Sequence, residues 1–329
     1  MSAPLLTVQD LVKTFALPRR SIRGPRPTVQ AVSGISFRLE RGRTLGLVGE
    51  SGSGKSTTAR LITGLVRPTS GTIDFGGVDV ARADRRQQRA LRRRMQMIFQ
   101  DPRGSLDPRM RVRDVIGEGL VVHRIASGAR LRTRVDELLE MVGLRTGDAE
   151  KYAHEFSGGQ AQRIAIARAL ATDPEIIVCD EAVSALDVSV QAQILNLLRQ
   201  LQDELGLAYL FISHDLNVVR YMSDEMIVMY LGKAVETGPA ARIFEEPAHP
   251  YTQALLSTIA QDEWADPQSA TPGVAGEIPS PTSPPSGCRF HTRCPLAFDR
   301  CRVEEPSYAV LGEGHLAACH LSHDRAAIA

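Results

Sequence analysis

The segment from Thr44 to Leu65 constrains the fold of this 329-residue chain more than any other part of it. It begins with a short apolar strand pattern, Thr44–Val48, passes through a glycine-rich turn, and ends in the helical pattern of Thr57–Leu65. The turn, residues 49–57, reads Gly-Glu-Ser-Gly-Ser-Gly-Lys-Ser-Thr and fits the pattern G-x-x-x-x-G-K-S/T. Strand, turn and helix in this order are typical of proteins in which strands and helices alternate. We therefore predict an α/β fold.

Residues 49–57, called the phosphate loop from here on, have the chemistry of a phosphate-binding turn. Their glycines let the backbone curl so that successive N–H groups point at one anion, and the following helix adds its positive end. Lys55 supplies a charge for the outer phosphates, and the Ser56 hydroxyl is a suitable Mg²⁺ ligand. A chance Gly/Ser turn is the alternative, which the flanking strand and helix disfavour. The predicted nucleotide-binding residues are Gly49, Glu50, Ser51, Gly52, Ser53, Gly54, Lys55, Ser56 and Thr57.

A second apolar run, Ile176–Cys179, ends in two carboxylates. Its continuous apolar character predicts a central parallel strand. At the carboxyl end of such a strand, Asp180 is placed to hold the metal ion and Glu181 to orient a water for attack on a γ-phosphate. Two acids that merely begin a helix are the alternative, but a preceding phosphate loop favours the catalytic interpretation. Cys179 is expected to be a small buried core residue.

The rest of the chain divides by pattern and composition. Residues 5–50 alternate in short runs and predict antiparallel strands, residues 105–172 look mostly helical (130–142 and 160–171 most clearly), and a helix at 190–205 precedes a buried strand at 208–212. Strand, crossover helix and strand indicate a parallel sheet covered on both faces. Residues 19–27 predict an exposed loop, and the proline-rich residues 262–287 predict a linker or a loosely wrapped segment.

Composition and charge exclude some classes of protein. Hydrophobic residues make up 43% and charged residues 23% of the chain, which is ordinary for a globular protein, and the net charge of +1 predicts no nucleic-acid partner. No apolar run approaches the roughly 18 residues that span a bilayer. The first 14 residues lack the layout of a signal peptide, so a cytoplasmic location is expected. The arginine-rich residues 82–94 are interpreted as a solvated helix face rather than a phosphate-binding patch.

Further motifs resemble those of the ATPase subunits of ABC transporters. Phe156–Gln160 opens a helix shortly before the acidic strand and is similar to the family's signature motif. Gln100 resembles the glutamine that senses Mg²⁺ and contacts the membrane partner, and Ser184–Asp187 resembles the loop that crosses the dimer interface. His214 resembles the switch histidine that contacts the γ-phosphate. Ala182 stands where the family usually has proline, and Phe156 where leucine is commonest, but neither change removes a polar atom.

This resemblance implies a P-loop NTPase core that hydrolyses ATP in a head-to-tail dimer, where each signature motif covers the nucleotide held by the other subunit. Glu181 and His214 would be catalytic, and Ser56, Gln100 and Asp180 would bind Mg²⁺. Phe15 is the expected adenine-stacking residue, with a core or strand-end phenylalanine as the alternative. The nucleotide-contacting residues implied outside the phosphate loop are Phe15, Gln100, Ser157, Gly158, Gly159, Gln160, Asp180 and Asp187.

Three further stretches, 151–155, 186–193 and 249–252, resemble the dipeptide and oligopeptide importer branch of that family. The resemblance implies a motor for peptide import at the cytoplasmic face of the membrane. Its expected partners are a second ATPase subunit (a paralogue or another copy), two membrane permease subunits and, indirectly, an extracytoplasmic substrate-binding protein. Nickel or glutathione as cargo, or a soluble ABC ATPase without a transport role, are the alternatives.

The same resemblance predicts two domains: a nucleotide-binding domain over 1–240, with an antiparallel β subdomain and a helical subdomain inserted at about 101–172, and a C-terminal extension over 241–329. The extension holds Cys288, Cys294, Cys301 and Cys319, separated by five, six and seventeen residues. These spacings are wider than those of ordinary structural zinc sites. Members of this branch that carry a [4Fe–4S] cluster on four tail cysteines imply the same here. Zinc, with His291, His315 or His320 as possible ligands, and free thiols or disulfides are the alternatives.

Overall fold

A computed structural model describes residues 3–18, 26–262, 276–312 and 314–326 of the chain. The strands are β1 (Leu6–Ala16), β2 (Thr28–Leu39), β3 (Thr44–Val48), β4 (Ser70–Phe75), β5 (Val78–Asp79), β6 (Met95–Ile98), β7 (Ile176–Asp180), β8 (Ala208–Ile212), β9 (Glu225–Tyr230), β10 (Lys233–Pro239), β11 (Ala309–Gly312) and β12 (His315–Ala317). The helices are α1 (Lys55–Ile62), α2 (Arg85–Arg94), α3 (Val112–Val122), α4 (Gly128–Met141), α5 (Gly158–Leu170), α6 (Val188–Leu205), α7 (Leu216–Met222), α8 (Ala240–Glu245), α9 (Pro250–Asp262), α10 (Asp299–Val303) and α11 (His320–Ala326).

The predicted antiparallel strands form a small four-stranded sheet in the order β2-β1-β4-β5. Its inner face buries the alternating apolar residues that the sequence pattern indicated, such as Leu6 and Val8. Phe15, close to the end of β1, is instead 38% exposed. The small sheet therefore brings one exposed aromatic ring to its rim.

The large sheet has the order β11-β12-β10-β9-β3-β8-β7-β6, and its block from β9 to β6 is parallel. The predicted buried strands β3, β7 and β8 lie side by side in this block, and each is buried along its whole length. Helices cover both faces, as expected for strands of continuous apolar character. Because parallel strands end at one edge, the turns after β3, β6, β7 and β8 meet there.

The helical prediction for residues 105–172 is confirmed by α3, α4 and α5, which pack into one core with the face of α6. Helix α1 begins at Lys55, two residues before its predicted start, and ends at Ile62, three residues before its predicted end. The early end follows from Gly64, whose φ of 68° is a left-handed conformation that an α-helix cannot continue through. Helix α2 buries only Leu91, which confirms that the arginine-rich segment is a solvated face.

Strands from the extension join the large sheet instead of forming a separate layer. β12 pairs with β10, and β11 pairs with β12. The domain boundary at residue 240 thus stays a prediction. Two predicted segments lie partly outside the described residues: residues 19–25 of the exposed loop and residues 263–275 of the linker. The described end of the linker packs on β2, where the Gln30 N–H donates to the Pro281 carbonyl at 3.3 Å.

Candidate nucleotide site

The shape of the phosphate loop depends on two glycines that no other residue could replace without displacement. A Cβ on Gly49, whose φ is 146°, would lie 2.1 Å from the Met229 carbonyl oxygen. A Cβ on Gly54, whose φ is 107°, would lie 2.2 Å from the Ala31 carbonyl oxygen. The loop is therefore wedged between the end of β9 and β2, and its backbone approaches both closely because it carries no side chain there.

Lys55 folds back over this loop. Its side chain is buried, with 4% of the residue exposed, and its Nζ donates to the carbonyl oxygens of Gly49 at 2.7 Å and Glu50 at 3.0 Å. Burial lowers the pKa of the ammonium, while the carboxylates of Glu181 and Asp180 oppose that shift. The charge is thus held at the mouth of the loop by neutral carbonyls, which can release it to an anionic ligand.

Ser56 and Asp180 face each other across the edge of the sheet. The Ser56 hydroxyl donates to Asp180 Oδ1 at 2.9 Å. Burial raises the pKa of Asp180, although this same hydrogen bond opposes the shift. A hydroxyl and a carboxylate side by side are two hard oxygen ligands of the kind that Mg²⁺ prefers. Because burial destabilises the charged carboxylate, a bound divalent cation would stabilise it. The donor set therefore fits the predicted metal.

Glu181 meets two other predicted site residues. Gln100 Nε2 donates to one carboxylate oxygen at 2.6 Å, and His214 Nδ1 lies 3.3 Å from the other. The Glu181 backbone has a φ of 52°, a left-handed conformation that is uncommon for a residue other than glycine and that often marks functional positions. The fold thus brings Gln100, Glu181 and His214, which are far apart in the sequence, into one cluster.

These elements line one surface depression. Its walls are Phe15, Val29, Ala31, Ser51, Gly52, Gly54, Lys55, Ser56, Thr57, Glu181 and Pro281. Phe15 faces this space and is not a core residue, and the Lys13 ammonium lies 4.9 Å from its ring centroid. An exposed aromatic face beside a phosphate loop has the placement that base stacking requires.

The signature-like segment lies in a different depression. Ser157 caps α5 through a reciprocal pair of hydrogen bonds with Gln160, at 3.3 and 3.1 Å. The surrounding residues are Asp101, Pro102, Arg103, Ser157, Gly158, Gly159, Ala185, Leu186, Asp187 and Val190. Asp187 and the signature motif therefore line the same depression, which is separate from the phosphate-loop depression of the same chain.

Comparisons with known proteins agree with these features. Residues 32–184 match the family model described as ABC transporter, and residues 235–301 match the one described as Oligopeptide/dipeptide transporter, C-terminal region. A putative peptide import ATP-binding protein of Brucella abortus is 50% identical over 96% of this chain and 94% of its own length. A di/tripeptide transport ATP-binding protein of Pseudomonas aeruginosa is 46% identical over 96% of this chain and 97% of its own length.

The chain belongs to the ATP-binding subunits of ABC transporters. Solved structures of such ATPases share its fold. A component of an ABC transporter complex from Clostridium perfringens matches with a TM-score of 0.63 and 28% identity over 74% of this chain and 92% of its own. An ATP-binding cassette solved as a dimer with ADP and Pi matches with the same score and identity over 71% of this chain and 98% of its own. The predicted α/β P-loop core and the ATPase activity are thereby confirmed.

No helix in the described parts of this ATPase is both long and apolar enough to cross a membrane. As a subunit of a transporter, the chain acts together with proteins that do cross it.

The tail cysteines of the ATPase converge in space. The Cys288 N–H donates to the Cys301 carbonyl oxygen at 2.8 Å. Burial raises the pKa of the Cys288 thiol to about 11, and the thiols of Cys319, Cys301 and Cys294 add to that shift. All four tail cysteines are free thiols. Among the described residues, however, no group of three or more His, Cys, Asp or Glu side chains is arranged to hold a metal ion. The fifth cysteine, Cys179, is buried in β7 as predicted.

Sequence reasoning missed three residues that touch the nucleotide region from the extension. The Glu50 N–H donates to the Tyr251 hydroxyl at 2.9 Å, and the Arg293 guanidinium donates to both Glu50 carboxylate oxygens, at 2.6 and 2.9 Å. Pro281 lines the phosphate-loop depression. The only sequence signal was indirect, because Tyr251 belongs to a stretch that indicated the importer branch and Arg293 directly precedes Cys294.

Proposed function

We propose that this ATPase energises the import of peptides and works at the cytoplasmic face of the cell membrane. The match of residues 235–301 to the oligopeptide/dipeptide transporter C-terminal region supports a peptide cargo, as do relatives named for peptide import. The solved cassette structures support a peptide cargo less directly, because the same fold serves transporters of many different cargoes.

The test of cargo is uptake by the assembled transporter. Proteoliposomes that contain the ATPase, its permease subunits and the substrate-binding protein should accumulate labelled di- or oligopeptides only when ATP is present. Accumulation of nickel or glutathione without peptide would replace the proposed cargo. A chain that hydrolyses ATP but associates with no permease would support the soluble ABC ATPase alternative.

The nucleotide site is proposed to be completed by a second ATPase subunit, either another copy or a paralogue. The observation that carries this proposal is the separation of the two depressions: Lys55, Asp180 and Glu181 lie at one, and the signature motif lies at the other. A head-to-tail pair would close each phosphate loop with the partner's signature motif. The solved cassette that is a dimer with ADP and Pi provides a precedent for nucleotide in such an assembly.

Each side chain of the site then has a proposed role in hydrolysis. The phosphate-loop N–H groups and Lys55 bind the β- and γ-phosphates, and Ser56 and Asp180 hold Mg²⁺, which offsets the phosphate charge when bound. Glu181 accepts a hydrogen bond from the attacking water and orients it. His214 and Gln100 fix the direction of the Glu181 carboxylate by contacting one oxygen each. Release of ADP and phosphate reopens the pair, which alternates the permease between its two faces.

A groove beside Gln100 that exposes apolar residues among charged ones supports a permease partner. Leu65, Phe99 and Val122 are exposed large apolar residues, and all three line this groove between the nucleotide core and the helical region. We expect Val122→Glu to reduce co-purification of the permease while ATP binding by the isolated chain stays unchanged. Undiminished co-purification would remove this groove from the proposed interface.

We also propose that the four tail cysteines hold a [4Fe–4S] cluster. The four free thiols lie near one another and are soft donors of the kind that iron–sulfur clusters use, although the described side chains are not arranged as a metal site. His315, one of the residues considered for zinc, pairs with the buried Glu236 at 2.8 Å. Protein purified without oxygen should be brown, with stoichiometric iron and acid-labile sulfide that Cys294→Ser abolishes. Colourless protein with one zinc ion per chain would reject the cluster.

A further inference from the structure

Glu50, the second residue of the phosphate loop, is held by partners on every polar group. Its N–H donates to the Tyr251 hydroxyl at 2.9 Å, and its carbonyl accepts from Lys55 at 3.0 Å and from the Ser53 N–H at 3.2 Å. Its carboxylate receives two hydrogen bonds from Arg293, a planar bidentate arrangement. Two of these four partners, Tyr251 and Arg293, come from the C-terminal extension, and Arg293 holds the only charged group of Glu50. The point where the chain leaves β3 and enters the phosphate loop is therefore held from the extension as well as from the loop itself.

The two extension residues are themselves rigidly placed. The Arg293 side chain is 4% exposed, so its guanidinium has left water and depends on its partners. The Tyr251 ring packs against Tyr230 and Phe290, with centroids 4.8 and 5.3 Å apart. Arg293 also lies over the Tyr230 ring, 5.8 Å from its centroid. An aromatic cluster thus supports both groups that contact Glu50.

We propose that Arg293 and Tyr251 are positioning residues, through which the C-terminal extension holds the phosphate loop in its nucleotide-binding shape. A loop that is ordered before nucleotide arrives loses less conformational entropy on binding and so binds more tightly. The inference rests on the proposed role of the phosphate loop and adds that nucleotide affinity depends on the extension. Residues 250–293 would then act on the motor, although every motif of the motor precedes them.

The test is Arg293→Met, measured as equilibrium affinity for a fluorescent ATP analogue and as steady-state ATP hydrolysis by the full-length chain in its transporter. We expect about tenfold weaker affinity and a matching rise in KM for ATP, with kcat changed less than about twofold, because breaking a buried charge pair disturbs the loop but not Glu181. Arg293→Lys should recover part of the affinity, since a lysine retains the charge without the bidentate geometry.

Arg300→Met is the matched control. Arg300 directly precedes Cys301, as Arg293 precedes Cys294, but its ion pair with Glu304 is exposed, with both side chains 54% accessible. We expect this variant to bind the analogue like wild type. Tyr251→Phe, which removes only the hydroxyl that Glu50 contacts, should weaken affinity about threefold and provides a second reading if Arg293→Met folds poorly.

Two results would overturn the inference: wild-type affinity in both Arg293→Met and Tyr251→Phe, or an equal loss in Arg300→Met. Failure of the proposed function looks different. If Lys55→Ala bound the analogue as tightly as wild type, the phosphate loop would not be the nucleotide site, whatever Arg293 does.

Discussion

The two depressions of this ATPase differ in what they contain. The phosphate-loop depression gathers Lys55, Ser56 and Glu181, with Asp180 and His214 directly behind them. The signature depression offers a capped helix N-terminus, two glycines, Arg103 and the carboxylates of Asp101 and Asp187, and its described lining contains neither a lysine nor a carboxylate paired with a histidine. One half is equipped to bind phosphates and activate water, and the other only to cover an anion. This difference indicates that one chain holds two unlike halves of a site.

The largest expected effect is on the chemical half. Glu181→Gln should bind ATP and lose about 10²–10⁴-fold in turnover, since it removes the group that orients water and leaves the phosphate contacts in place. Lys55→Ala should instead lose nucleotide binding, so the two variants separate chemistry from binding. The measurement is single-turnover hydrolysis and nucleotide affinity in the assembled transporter. Wild-type hydrolysis by Glu181→Gln would remove this residue from the chemical half.

The next effect concerns the buried carboxylate. Asp180→Asn should abolish most Mg²⁺-dependent hydrolysis yet raise the thermal midpoint of the nucleotide-free chain at neutral pH. The raised pKa of Asp180 means that its charged form is penalised in the folded state. The penalty is present above that raised pKa and disappears as the pH falls through it toward the ordinary range of an aspartate. The stability difference between variant and wild type should therefore shrink in acid, and a constant difference across this pH range would contradict the assignment.

A smaller effect is expected at the rim of the same depression. Phe15→Leu should weaken ATP affinity about tenfold, because base stacking on an aromatic ring contributes about 1–3 kcal/mol. Phe15→Tyr keeps the ring and should bind like wild type. Isothermal titration with ATP and with tripolyphosphate separates base from phosphate contacts, since only ATP should respond. An equal change for both ligands would mean that Phe15 supports the loop and does not stack on adenine.

Much of the nucleotide core could be predicted because the phosphate loop, the Asp180–Glu181 pair and His214 each lie at or just after the end of a buried strand. Apolar runs at 44–48, 176–179 and 208–212 fixed three neighbouring strands, and parallel strands bring their carboxyl ends together. The proximity of Asp180 to Ser56 follows from that rule. The positive φ of Glu181 does not, since it arises from the turn that the surrounding structure imposes.

The extension was predicted less well because its contacts are made by single side chains over long sequence separations. Arg293 and Glu50 are 243 residues apart, and no periodic pattern connects them. Gly159 shows a related limit. The sequence assigned it to an anion site, but a Cβ there would lie 2.4 Å from Val190 Cγ1, so close packing of α5 on α6 already requires a glycine. A Cβ on Gly158 would instead meet nothing closer than 3.4 Å.

Gly158→Asp is therefore the most direct test of the composite site. A Cβ at this position stays 3.4 Å from its nearest neighbour, and a carboxylate at the N-terminus of α5 favours the helix, so the chain should remain folded. The same carboxylate would repel the γ-phosphate held by a partner subunit. The substitution is made in Glu181→Gln protein, which is combined with its ATPase partner. Gly158→Asp should abolish the ATP-dependent dimer seen by sedimentation, while the nucleotide affinity of the single chain stays within about twofold of the Glu181→Gln parent. Gly158→Ala is the uncharged control and should still dimerise. A dimer that still closes, or an equal loss of dimerisation and single-chain affinity, would contradict the account that the two halves meet across two subunits.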